Sequence, residues 1–258
     1  MGITHYPNIV VDKLLLYFDA SNPKSYPGSG LTWKDLSGKR NDGNNGTGGN
    51  ACSFESSDPK CFVFNASNNN GRIMGNPLYN SINEGSVELW FQHNMSTTTA
   101  ASLGMLYFEG DDNGYGGNKE MHLGILKSNS YLQFYLEGGS GSTNDINISA
   151  TTAIPENTWT CATVTFSGLT GQVSGGSANG KNARIYINGS FSVGQYKAGD
   201  YGGGANPSNS FIGRSRTQIN GKYRGLVGKV ATVKCYGKQL SASEVLQNYN
   251  ALRGRFGI

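Results

Sequence analysis

The chain has 258 residues, of which 38 are glycine and 15% are charged, with a formal net charge of +4. Glycine at roughly twice its usual share opposes long helices, because each interior glycine costs ~1 kcal/mol in a helix relative to alanine. The glycines have no period of three, which excludes collagen, and 36% hydrophobic with 11% aromatic residues exclude a disordered chain.

The predicted elements begin with an N-terminal arm, residues 1–13, which lacks the basic, apolar and small-residue series of a secretory signal. No apolar run reaches the ~18 residues that would span a membrane. The expectation is therefore synthesis in a cytoplasm, with no signal peptide and no membrane insertion. Strands are predicted at residues 14–18 and 61–64, then at 86–92, where Val87, Leu89 and Phe91 alternate with polar neighbours. Further strands are predicted at 103–108 and 121–126. Residues 131–137 show the clearest alternation, placing Leu132, Phe134 and Leu136 on one face and Tyr131, Gln133, Tyr135 and Glu137 on the other. Residues 160–166 repeat the pattern with Ala162, Val164 and Phe166.

Asn188-Gly189 follows strand 184–187 and precedes an extended run to Val193, the signature of a type I′ hairpin. Strands at 211–213 and 227–236 come next. Ser241-Ala-Ser-Glu244 then forms a capping box, and Val245, Tyr249 and Leu252 recur at helical spacing, predicting a closing helix over 241–252. About a dozen strands in one chain require two packed sheets. The fold class expected is all-β, a two-sheet antiparallel sandwich with one short C-terminal helix, in a single domain spanning residues 1–258.

Cys52, Cys61, Cys161 and Cys235 show neither CxxC nor metal-ligand spacing and read as buried thiols, though Cys52 and Cys61 could bridge if their segments pair as a hairpin. From residue 201 onward the charge is strongly basic, with Arg214, Arg216, Lys222, Arg224, Lys229, Lys234, Lys238, Arg253 and Arg255 against the single acid Glu244. Such asymmetry suits docking on an acidic partner, for which Arg214, Arg216, Lys222, Arg224, Arg253 and Arg255 are the candidates; it equally suits outward positions scattered over several strands. Nucleic acid is disfavoured, since no recognition motif accompanies the charge.

The most site-like loop is Asp111-Asp112-Asn113-Gly-Tyr115-Gly-Gly-Asn118. The hard oxygens of Asp111 and Asp112 suit Ca²⁺, and Tyr115 beside Asn113 suits a sugar, although an ordinary acidic hairpin tip uses the same residue types. A second candidate runs from Tyr196 to Asn206, where Tyr196 and Tyr201 flank Asp200 and a run of glycines. No cofactor is required by either. His5, His93 and His122 lie far apart and no G-x-S-x-G occurs, so no hydrolase triad is indicated.

LLYFDASNPKSYPGSG from Leu15 to Gly30, Thr32-Trp33, the Trp159-led strand, Ile185-Tyr-Ile-Asn188-Gly189, Phe211-Ile-Gly213-Arg and the run from Leu226 into the closing helix together resemble laminin-G-like, concanavalin A-like jelly rolls. The start from Thr4 to Val11 and the ending from Asn248 to Ile258 resemble structural proteins of large tailed bacteriophages, cyanophages among them. Where the family commonly carries a histidine after that tryptophan, Thr160 and Cys161 stand here. The resemblance implies a jelly roll and a non-enzymatic virion structural protein displayed on head or tail. Such a protein is made in the host cytoplasm, is multimeric in the particle, docks on other capsid or tail proteins and touches host-surface glycans weakly. The alternative it implies is a dedicated carbohydrate-binding, receptor-binding adhesin of the tail. Related folds include glycoside hydrolases, which need two carboxylates on one cleft; Glu88 stands alone on its strand face, followed by Trp90 and Gln92, which disfavours an enzyme.

Overall fold

A computed structural model describes residues 7–46, 51–65, 73–79, 82–97, 102–110, 121–136, 145–168, 181–197, 209–219 and 222–258. The first part of the chain supplies β1 (Leu14–Asp19), β2 (Thr32–Trp33), β3 (Gly43–Asn44), β4 (Ser53–Glu55), β5 (Cys61–Phe64) and β6 (Ile73–Gly75). The middle supplies longer strands: β7 (Glu84–His93), β8 (Leu103–Gly110), β9 (Met121–Leu126), β10 (Tyr131–Leu136), β11 (Ile146–Ala153) and β12 (Thr160–Ser167). After β13 (Lys181–Ile187), β14 (Ser190–Lys197), β15 (Asn209–Ile212), β16 (Arg214–Ile219), β17 (Lys222–Gly225) and β18 (Gly228–Tyr236), the chain closes with α1 (Ala242–Leu252).

The strands form two antiparallel sheets and one small hairpin. The first sheet runs β14-β13-β12-β7-β18-β5-β4, with β1 also pairing β18; the second runs β11-β10-β9-β8-β15-β6-β3-β2. β16 and β17 pair with each other and lie over β8. The predicted alternation is what binds the sheets together. Val87, Leu89 and Phe91 of the first sheet and Leu132, Phe134 and Leu136 of the second are all buried in one core. Across the interface Phe134 stacks on Phe166 at 5.6 Å, and Phe18 stacks on Trp33 at 4.8 Å. Each such side chain contributes about 1.5–3 kcal/mol through burial.

The Asn188-Gly189 hairpin forms as predicted, with φ of 50° and 77° at the two turn residues. Its Asn188 side chain also accepts the Cys161 N–H at 2.9 Å, fixing the turn to the neighbouring β12. Gly213, at φ 84°, separates β15 from β16, and a Cβ there would lie 2.0 Å from the Phe64 ring. The turn can therefore carry no side chain. At the C-terminus the capping box is present in full, Ser241 accepting from the Glu244 N–H while the Glu244 carboxylate accepts from the Ser241 N–H. All four cysteines are free and buried, including Cys52 and Cys61 on either side of the β4–β5 hairpin.

Candidate functional site: an outward strip beside a closed face

The two sheets have outer faces of opposite character. On the first sheet, Glu88, Thr163 and Lys234 occupy cross-strand positions of β7, β12 and β18. Glu88 and Lys234 form an ion pair, and both side chains are fully buried. Helix α1 and the N-terminal arm seal it. Asn248 donates to Glu88 Oε2 at 3.1 Å and to the Tyr236 hydroxyl at 2.9 Å, while its Oδ1 accepts the Val10 N–H at 2.7 Å. Tyr236 in turn donates to the Val10 carbonyl at 3.1 Å. Nearby, the Arg255 guanidinium reaches both Asp19 oxygens at 2.9 and 2.8 Å, and Tyr17 donates to the same carboxylate. Glu88 is thus a hydrogen-bonded structural acid with no path to substrate.

Glu109 is enclosed as well. On β8 it accepts from the Leu78 and Tyr79 N–H groups at 3.0 and 2.8 Å and from the Tyr107 hydroxyl at 2.8 Å. Burial raises its pKa to about 7, and the three donors only partly oppose that rise. A carboxyl whose folded pKa is raised stabilises the fold fully below its ordinary pKa and loses that contribution as pH climbs through the folded value. The chain is accordingly expected to lose about 3 kcal/mol of unfolding free energy between about pH 4.5 and about pH 7, with no further loss from this group above that. Urea unfolding across that range checks it, and Glu109→Gln is expected to flatten the slope; an unchanged slope in the variant would count against the assignment.

The outer face of the second sheet is covered over β8 by β16 and β17 and is open over β10 and β11, with the His122 side chain of β9 buried beside them. There β10 presents the polar half of the alternation read from residues 131–137. His122 stacks on Tyr135 with ring centres 5.1 Å apart, and Tyr135 donates to Asp145 Oδ2 at 2.8 Å. Gln133 donates to Asn147 Oδ1 at 2.9 Å, and the Asn147 N–H donates to Gln195 of β14 at 3.2 Å. Tyr131, Gln133 and Tyr135 are half-buried and Asn147 is exposed. Sequence reasoning recognised Tyr131, Gln133 and Tyr135 as the outward side of a strand. It did not place His122, Asp145 and Asn147 beside them, because that depends on the register of β9 and β11.

Of the residues singled out from sequence, Asp111, Asp112, Asn113, Tyr115 and Tyr201 lie outside the described residues, so the Ca²⁺ and sugar readings of those loops rest on sequence. Tyr196 is described, on β14, and is 65% exposed. Gly110 and Asn209, which flank the two candidate loops, are register partners at one end of the second sheet. Among the described residues no group of three or more His, Cys, Asp or Glu could hold a metal.

The basic docking surface needs correction. Arg214 is buried and Arg255 is engaged with Asp19, so neither projects as a docking charge. Arg253 is exposed and lies over the Tyr249 ring, and Arg224 is half-buried. The side chains of Arg216 and Lys222 lie outside the described residues. The other cations of this quarter are paired internally, Lys234 with Glu88, Lys229 with Glu55, and Lys238 with Asp12 and Glu244. Lys229 and Lys234 share the outer face of β18, opposite Gln92 and Glu88 of β7, and their pairing with carboxylates from other segments is what removes them as docking charges.

Residues 65–246 match the family model of the concanavalin A-like lectin/glucanases superfamily. No curated protein sequence matches the chain. Among solved structures, it is similar to the binding domain of botulinum neurotoxin serotype D/C VPI 5993, at 15% identity and a TM-score of 0.64, covering 94% of this chain and 53% of that one. It is also similar to the binding domain of botulinum neurotoxin DC in complex with rat synaptotagmin II (16% identity, TM-score 0.62, 94% and 52% covered). The same domain in complex with SialylT gives 16% identity and a TM-score of 0.61, with the same coverage. The chain spans about half the length of these structures, and at such identities the likeness is one of fold.

Proposed function

We propose, from the premise that the chain belongs to the concanavalin A-like lectin/glucanase superfamily, that it is a non-catalytic binding protein whose outward strip on the second sheet contacts glycans. The strip itself carries this reading. It offers the flat rings of Tyr131 and Tyr135 for the apolar face of a sugar, with the Gln133 and Asn147 amides and the Asp145 carboxylate at hand for hydroxyls. A non-catalytic role is supported by the state of two buried acids: Glu88 is locked in an ion pair, and Glu109, on β8, is enclosed and accepts from the Leu78 and Tyr79 N–H groups, so neither offers a carboxylate to a cleft. The setting proposed is the surface of a tailed-phage particle, on the resemblance of the two chain ends to phage structural proteins.

Two measurements separate the parts of this proposal. On a glycan array the full chain is expected to show binding, and the combined Gln133→Ala and Asn147→Ala variant is expected to weaken the best ligand at least about tenfold, equivalent to roughly 1.4 kcal/mol. A flat array at high protein concentration, or unchanged affinity in the variant, would overturn the strip as the site. Mass spectrometry of purified particles tests the setting, which fails if the protein is absent from them.

A further inference from the structure

At the end of the sandwich opposite Gly110 and Lys197, the last residues of β5 and β7 and the first of β18 enclose a cleft of about 410 Å³. Its wall includes Gln92, Asn94, Thr97, Asn157, Gly228 and Lys229. That volume falls within the ~300–1,000 Å³ of small-molecule sites. The frame is preformed, because the Asn157 N–H donates to the His93 carbonyl and the Asn94 N–H to the Val227 carbonyl, both at 2.8 Å. His93 underlies the wall, fully buried, its Nε2 2.9 Å from the Ile154 carbonyl. Gly228 keeps this stretch free of a side chain: a Cβ there would lie 2.1 Å from the Gln92 carbonyl oxygen.

The lining chemistry selects a ligand class. Carboxamides dominate the wall, and each offers both a donor and an acceptor, as sugar hydroxyls do. The one ammonium, Lys229, is already paired with Glu55 at 2.7 Å, so the cleft has no unmatched cation calling for an anion. Val63, Phe64 and Val227 supply apolar wall beside these amides, so the cleft offers both a hydrogen-bonding and an apolar side, as a saccharide with hydroxyls and a C–H face requires. We infer that this cleft is a second, separate binding site for a single saccharide residue, hydrogen-bonded through Gln92, Asn94 and Asn157. It stands on different residues from the strip on the second sheet and on the opposite end of the sandwich from Gly110 and Asn209.

The test is a titration of the ¹⁵N-labelled full chain with methyl β-glucopyranoside, methyl β-galactopyranoside, methyl α-mannopyranoside and N-acetylglucosamine, followed by amide chemical shifts. At least one is expected to shift the amides of Gln92, Asn94, Asn157, Gly228 and Lys229 with millimolar affinity. The combined Gln92→Ala and Asn157→Gly variant, in which glycine retains the positive φ of Asn157, is expected to weaken that binding at least about fivefold. Gln92→Glu serves as a second variant that keeps the side-chain shape and removes the donor. If no sugar shifts these amides, or the shifts persist unchanged in the variants, the cleft is not a site. Shifts confined to Gln133, Tyr135 and Asn147 would overturn the cleft and leave the proposed function standing; shifts confined to the cleft would do the reverse.

Discussion

Lys234→Met is expected to cost about 3–5 kcal/mol of unfolding free energy, because it strands the Glu88 carboxylate beneath α1 with no cation to offset its desolvation. The remaining contacts to that carboxylate are Asn248 at 3.1 Å and Thr163 at 3.5 Å, both neutral. Replacing both charges, as Glu88→Leu with Lys234→Met, is expected to recover most of the loss, since a buried pair exchanged for apolar side chains is often near neutral. Asn248 would keep its bonds to Tyr236 and Val10 in that variant. Urea unfolding with an unchanged dependence on denaturant measures all three proteins. A single-variant cost under about 1 kcal/mol would mean that water reaches the pair and that α1 does not seal this face.

The pair also shows what the sequence could convey. Glu88 was legible as a lone acid on a strand face, and a lone acid cannot perform two-carboxylate hydrolysis. Its partner was not legible, because Lys234 lies 146 residues away and meets it only through the β7–β18 register. The same physics scattered the basic C-terminal quarter. Lys229, Lys234 and Lys238 are neighbours in the sequence, yet each faces a carboxylate contributed by a different segment.

Local signals succeeded where the energetics are local. The Asn188-Gly189 turn, the capping box at Ser241 and the alternation in β10 depend on backbone geometry and near neighbours, and all three stand in the structure. The strands β2, β3, β4 and β6 have two or three residues each and are too short to show a period, so pairing with adjacent strands creates them. β11 carries the same alternation, with Ile146, Ile148 and Ala150 inward and Asn147 and Ser149 between them, but the pairing that sets it beside β10 is not a local signal. The candidate strip inherits this division: the strands at residues 121–126 and 131–137 were visible, whereas the register that sets His122 and Asn147 on either side of Tyr135 was not. The helix over 241–252 was likewise visible, whereas the chain end that follows it took its role from aromatic packing against β7.

That packing makes Trp90→Ala the second variant with a large expected effect, about 3–5 kcal/mol of destabilisation. The Trp90 ring is fully buried, with Phe256 stacked on it at 4.0 Å and Tyr249 at 5.7 Å, so its removal opens a cavity under both the helix and the last turn of the chain. Phe256→Ala acts on the same stack from the other side and is expected to cost about 2–4 kcal/mol. Because each single change already abolishes the Trp90–Phe256 contact, the double variant should fall short of the sum by roughly 0.5–1.5 kcal/mol. A thiol reagent gives a second readout. Cys61 and Cys161 are buried in this same cluster, and burial pushes their thiols well above the ordinary range, which keeps them inert. Labelling of both should accelerate in Trp90→Ala under native conditions, while Cys235, in the core between the sheets, stays protected. Equal acceleration at all three cysteines would instead mean that the variant opens globally, and that the aromatic stack does not hold the chain end as a separate unit.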